Sequence, residues 1–155
     1  HSFPTRRSSD LEALRSAGRR LTAAGLSGAV RLRRAGHQHL GRVVPFGDQG
    51  HLRAVMFNLG YLPGSDKSRI TRPETTVPAL EAAMAQLAPG GRLTVVAYPG
   101  HPGGERETEA VRQWLGELDP ARAAVEHFPV QPDPKAPRLF VLERRGPADT
   151  GPDSG

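Results

Sequence analysis

The chain contains no cysteine, which rules out a disulfide framework and any thiolate-bound metal. No apolar run approaches the roughly 20 residues that a membrane-spanning helix requires, so no membrane partner is expected and a cytosolic location follows by default. Aromatic residues are scarce at 5%, and only 37% of the 155 residues are hydrophobic, against 18 Gly and 15 Pro. That is a thin apolar supply for one domain, and marginal stability is the expectation. Lysine is nearly absent: all but two of the 21 basic residues are Arg, the exceptions being Lys67 and Lys135. There is no internal repeat, no Gly-x-Ser-x-Gly elbow, no phosphate-cradling glycine loop and no carboxylate pair. A hydrolase or another α/β enzyme with unrelated chemistry is disfavoured on that ground.

What is present alternates between helical and extended patterns, as in a single α/β domain. Leu11, Leu14, Leu21 and Ala24 recur at helical spacing, with Gly25 as a stop. Ala29-Val30-Arg31-Leu32-Arg33 alternates like a strand. Leu52 to Phe57 reads as a buried strand, and Pro73 to Leu87 as a helix with Pro at its first turn and Pro89-Gly90-Gly91 beyond its end. Pro78 lies early enough in that helix to be tolerated or to bend it. Arg92 to Tyr98 is the next strand, and Glu105 to Leu118 a helix with Ala110, Val111, Trp114, Leu115 and Leu118 on one face. Residues 123–130 and 138–143 close the pattern as two strands joined by a proline-rich loop. The last ten residues, 146–155, have the composition of a disordered tail.

Chemistry is expected where the strand ending in Phe57 empties into Asn58-Leu59-Gly60-Tyr61, because ligands of open α/β sheets sit beyond the carboxyl ends of parallel strands. An Asn oxygen and backbone carbonyls accept hydrogen bonds from an amine, and a Tyr ring three residues on stacks on a base. The same four residues also read as a plain turn with an Asx hydrogen bond and a packed Tyr. The net charge of +5 has a location too: Arg15, Arg19, Arg20, Arg31, Arg33 and Arg34 crowd the first third of the chain. They suit RNA phosphates, or they reflect a general replacement of Lys by Arg. Against that bias Lys67 stands out, since lysine offers a compact charge for a phosphate or a carboxylate. His37 and His39 form a His-x-His pair with no third ligand in view, so no metal site is assigned.

Three blocks carry a resemblance: Phe57 through Lys67, then Thr71-Arg72-Pro73-Glu74-Thr75-Thr76, then Tyr98-Pro99-Gly100-His101-Pro102-Gly103-Gly104. In this order and spacing they strongly resemble the putative rRNA methylase family of class I S-adenosylmethionine-dependent methyltransferases, over roughly residues 12 to 145. The resemblance implies an incomplete Rossmann-like α/β sheet, mostly parallel, with a C-terminal antiparallel strand and its first two strands missing. It implies S-adenosyl-L-methionine as cofactor and RNA as partner, tRNA ahead of rRNA, with N-methylation of an aminomethyl group on the wobble uridine. It also allows a homodimer of the full-length parent. Asn58, Tyr61 and His101 become catalytic candidates, Asn58 and Leu59 cofactor contacts, and Gly60, Lys67, Glu74, Thr75 and Tyr98 substrate contacts. One departure stands in Ala35-Gly36-His37-Gln38-His39, where Ala35 replaces the expected Asp of an acidic-Ser-His loop. The alternative function is a non-catalytic, basic RNA-binding α/β fragment.

Residues 1–11, His1-Ser2-Phe3-Pro4-Thr5-Arg6-Arg7-Ser8-Ser9-Asp10-Leu11, resemble codon by codon the translation of a common short-read sequencing adaptor. They are therefore read as foreign to the fold. Glu12 onward aligns with the helix after the family's second strand, so the glycine-rich cofactor turn and the acidic residue that follows it are expected to be absent. The fragment as written is expected to be inactive, with an exposed edge on the strand near 52–58.

Overall fold

The computed structural model describes residues 6–60, 71–126, 128 and 132–146, with side chains from residue 11 onward. The chain divides after Gly36 into two compact units. No helix among the described residues is long and apolar enough to cross a membrane.

The first unit is built on α1 (Arg6–Ala23). This helix begins inside the stretch read as foreign and runs across residue 11 without a break. Its end is the one that Gly25 predicts. Gly25 has φ +70°, and the Leu26 amide reaches the Leu21 carbonyl at 2.8 Å while the Gly25 amide reaches Thr22 at 3.0 Å, which is a Schellman closure of the orphan carbonyls. The strand expected at 29–33 is a correction: these residues form no strand. Alternation makes a strand only where an edge is there to pair with it. Here Val30 and Leu32 remain 41% and 39% exposed, and the Ala29 amide bonds locally to Leu26.

The second unit contains α2 (Leu40–Val43), β1 (Leu52–Asn58), α3 (Pro73–Gln86), β2 (Leu87–Ala97), α4 (Gly104–Glu117), β3 (Ala123–Glu126) and β4 (Arg138–Arg144), with 3₁₀ turns at His37–His39 and Phe46–Asp48. The four strands form one sheet in the order β1-β2-β4-β3. β1 runs parallel to β2, and β4 is antiparallel to both of its neighbours. Three strands thus share a direction, and the last strand of the chain is inserted against it, as expected. β1 pairs with β2 alone among the described residues.

Helix boundaries follow local chemistry. Pro73 occupies the first turn of α3, where its missing N–H costs nothing, and Arg72 before it is extended. Thr76, Ala79, Leu80, Ala83 and Met84 are buried, the i, i+3, i+4, i+7, i+8 stripe of an amphipathic helix, while Pro78 lies on the exposed side. Pro89-Gly90-Gly91 lies beyond the end of α3, as expected, but inside β2, which the sequence places only from Arg92. β2 starts at Leu87, directly after α3, and Leu52 pairs with Leu87 before Ala54 pairs with Arg92, so residues 88–91 bulge out of the ladder. Gly90 takes φ +77° there. A Cβ on Gly91 would lie 2.8 Å from the Leu52 carbonyl, closer than any side chain tolerates.

α3, α4 and the His37–His39 turn cover one face of the sheet. Phe57, Leu93, Val95, Ala97 and Leu142 on that face close a core with Leu80, Met84, Val111, Trp114 and Leu115. Trp114 Nε1 donates to Glu81 Oε1 at 2.5 Å, tying α4 to α3. Leu80 has no exposed surface, and truncating such a residue forfeits transfer energy and leaves a cavity. Leu80→Ala is expected to lower unfolding free energy by about 2–5 kcal/mol, a large share of a thin core, as read from urea midpoints at unchanged m-value.

Candidate active site

Parallel strands open their carboxyl ends side by side. The β1–β2 ladder continues one step past β1, with the Leu59 amide bonded to the Val96 carbonyl at 2.9 Å, so Asn58-Leu59-Gly60 and Tyr98-Pro99-Gly100-His101 leave the sheet together. Asn58 is exposed, and its Oδ1 accepts a hydrogen bond from the Tyr98 hydroxyl at 2.9 Å. A carboxamide oxygen has two lone pairs, so one remains for a ligand. Leu59 turns its side chain into the core, 3% exposed. With its amide in the ladder, it can meet a ligand only through its carbonyl.

Gly60 has φ +114°, a conformation that side chains rarely adopt. A Cβ there would lie 3.0 Å from His101 Nε2 and 3.6 Å from the Tyr98 ring. The backbone of one strand exit therefore lies directly against the side chains of the other. Gly104 serves the same packing from the far side, since a Cβ on it would collide with the Tyr98 carbonyl. Gly103, at φ +81°, caps α4. His101 is half-buried, with Nδ1 3.2 Å from the Pro102 carbonyl.

The chain returns to Gly60 at Thr71. The Gly60 amide donates to Thr71 Oγ1 at 2.8 Å, and the Thr71 amide donates to the Gly60 carbonyl at 3.2 Å. Behind this pair lies Glu107 of α4, 1% exposed. Its Oε2 accepts from the Thr71 hydroxyl at 2.7 Å, and its Oε1 from the Thr76 hydroxyl at 2.6 Å.

The other residues singled out by sequence fall into three groups. Tyr61 and Lys67 lie outside the described residues. Glu74 forms an ion pair with Arg106 at 2.5 Å, with both side chains more than half exposed, so it has the surface partner rather than an evident tie to Asn58. Thr75 Oγ1 donates to the Arg72 carbonyl at 3.1 Å and lies 3.2 Å from His37 Nε2. Among the described residues there is no group of three or more His, Cys, Asp and Glu that could hold a metal ion; His37 packs on β1 instead. Its ring meets Phe57 edge-on at 5.9 Å. Burial pushes its pKa below the usual histidine value, and the Glu107 carboxylate partly offsets this by raising it. An open groove between α4 and the β3–β4 hairpin, lined by Arg112, Leu115, Val125 and Phe140 among others, includes neither Asn58 nor Tyr98.

Glu107, Thr71 and Thr76 were not among the expected site residues. Glu107 had a signal, standing four residues before Val111 and seven before Trp114 on the apolar stripe of its helix, where a carboxylate is out of place unless it is hydrogen-bonded.

Comparison with known proteins decides the family. The profile described as "Putative rRNA methylase" matches residues 10–144. The chain belongs to this putative rRNA methylase family. It is 41% identical over 109 residues to the chloroplastic tRNA (mnm(5)s(2)U34)-methyltransferase of Arabidopsis thaliana, a match that takes in 70% of this chain and 39% of that protein. The chain therefore spans well under half the length of that relative. Among solved structures it resembles a "putative rRNA-methylase" from Clostridium thermocellum, with TM-score 0.76 and 38% identity, covering 86% of this chain and 70% of the other. It also resembles a "putative methyltransferase" from Streptococcus mutans in complex with SAH, with TM-score 0.73, 32% identity and the same coverage. The overall fold is thus shared with these solved structures.

Within this family member, His37 supplies a testable pH dependence. Its pKa is lowered in the folded state, so the unfolded chain takes up the proton first as pH falls through roughly 6.5. Stability contributed by neutral His37 is complete above that value and declines as pH drops below it. Urea midpoints measured at about pH 7.5 and about pH 5.5 should show this decline, and His37→Asn should shrink it. An identical decline in the variant would remove His37 as its source.

Proposed function

We propose that this chain carries the methyl-acceptor side of an S-adenosyl-L-methionine-dependent RNA methyltransferase. Its substrate is the aminomethyl group on the wobble uridine of a tRNA, which becomes N-methylated. The observation that carries the reading is the exposed Asn58 amide at the exit of β1, oriented by the Tyr98 hydroxyl at 2.9 Å and flanked by Gly60 and His101. Family membership and the 41% identity to a protein named for this tRNA modification support it.

An aminomethyl nitrogen is mostly protonated in neutral water, and its lone pair must be free to react. Asn58 Oδ1 and the Leu59 carbonyl are neutral acceptors: they bind the N–H groups without the strong preference for the ammonium form that a carboxylate would impose. The sulfonium of S-adenosyl-L-methionine supplies a methyl group that is already activated, so Asn58 is asked to hold the acceptor rather than the donor. His101, or a water beside it, accepts the proton released as the new N–C bond forms. Residues 12–145 make up the acceptor-side part of the methyltransferase domain on this reading, and in-line alignment is the main work asked of the protein.

A non-catalytic RNA-binding role is the second reading, favoured by the exposure of Arg15, Arg19, Arg20, Arg31, Arg33 and Arg34 in the first unit. One assay separates the two: methyl transfer to tRNA bearing the aminomethyl uridine, read by nucleoside mass, from a protein joining this chain to the strand-turn-helix half that precedes it in the family. Asn58→Ala should slow transfer by about 100-fold or more while leaving cofactor affinity nearly unchanged. Equal loss of both in a folded variant would make Asn58 structural, and tRNA binding without transfer would favour the second reading. The chain alone, titrated with S-adenosyl-L-methionine by calorimetry, should show no saturable binding. Saturation at micromolar cofactor would place a donor site within residues 12–60.

A further inference from the structure

We propose that Glu107 is a positioning residue that fixes the Asn58-Leu59-Gly60 turn, acting through the Thr71 hydroxyl. The contacts form a directional chain. The Gly60 amide donates to Thr71 Oγ1 at 2.8 Å, and that oxygen donates its single hydrogen to Glu107 Oε2 at 2.7 Å. A hydroxyl whose proton is committed to a carboxyl oxygen keeps its lone pairs aimed at the donor on its other side, and it becomes a better acceptor for it. Glu107 Oε1 is held by Thr76 at 2.6 Å, so the carboxyl cannot rotate without breaking the α3 bond. At 1% exposure, no bulk water replaces a lost partner, and an unmet group there is costly.

The geometry gives this arm a direct effect on the site. Gly60 sits at φ +114°, packed so closely under His101 Nε2 that a Cβ would lie 3.0 Å from it. A shift of the Gly60 amide therefore moves Leu59 and Asn58 on one side and presses on His101 on the other. Thr71 and Gly60 also bond through the Thr71 amide and Gly60 carbonyl at 3.2 Å, so the pin clamps both ends of the excursion between them. That the clamped turn meets the substrate rests on the proposed function; the clamping itself does not.

Amide hydrogen exchange on the full 155-residue chain reads the clamp without any assay of methyl transfer. Glu107→Leu is expected to speed exchange at the Gly60 amide by about tenfold relative to Val95 in the centre of the sheet. Thr71→Val should do the same, and the double variant should be no faster at Gly60 than either single one, because both remove one path. Should Glu107→Leu not fold, Glu107→Gln is measured in its place, with an acceleration at Gly60 of about threefold or more expected over Val95. Parallel acceleration at Gly60 and Val95 would mean that Glu107 serves only global stability and would overturn the proposal, as would additive effects in the double variant. In the methyl-transfer assay above, the same Glu107 variant should lower kcat with KM for the cofactor unchanged. Absence of transfer by the unsubstituted protein counts against the proposed function, whereas the exchange ratios still decide the role of Glu107.

Discussion

The parallel register of β1 on β2 is the constraint from which the rest follows. Asn58 pairs with Val96, so both strands run out of the sheet within one residue of each other and in the same direction. An antiparallel pair would have sent one exit to each end of the sheet. A parallel pair also requires a crossover, and α3 provides it. Its buried stripe from Thr76 to Met84 therefore holds the sheet's covered face and brings the Thr71–Thr76 segment back beneath the exits. Fold and site are one consequence of the same pairing.

Two glycines set how close the exits come. Gly60 and Gly104 stand where a Cβ would meet His101 and the Tyr98 carbonyl, so Tyr98 and His101 are held between the β1 exit and the start of α4. Such close approach leaves little slack, and polar groups drawn inside it need partners. Glu107 meets that need with two threonine hydroxyls at the first turns of α4, where the helix dipole favours negative charge. The apolar core and the polar cluster are thus complementary: α3, α4 and the β1 exit, already packed through the core, are joined beside it by short hydrogen bonds.

Much of this was legible in the sequence. Periodicity and punctuation located β1, α3, α4 and β4 to within a residue or two, because each has an apolar stripe or alternation bounded by Pro or Gly. The segment 29–33 failed because alternation reports what a strand could bury and not whether the residues pair with another strand. The start of β2 was placed at Arg92 instead of Leu87 because composition does not reveal that a bulge absorbs Pro89-Gly90-Gly91 inside the β1–β2 ladder. Asn58, Tyr98 and His101 were singled out from motif position, yet the bond between Asn58 and Tyr98 was not foreseen, since 40 residues separate them. Glu107 was missed because the charged majority of its helix hid one carboxylate on the buried side.

The separation of charge within the site bears on its chemistry. At the surface of the exit the acceptors are neutral: an amide oxygen already taking one hydrogen bond from Tyr98, and a backbone carbonyl. The carboxyl stands behind them, capped by Thr71 and Thr76. On the proposed function, a carboxylate in the place of Asn58 would stabilise the ammonium form of an incoming amine and hold the proton that must leave before a methyl group can be accepted. Placing the acid one hydroxyl away lets it order the turn while the contact surface stays neutral. In the proposed reaction the electrophile arrives already activated, so a rigid and uncharged acceptor surface is what the protein would have left to provide.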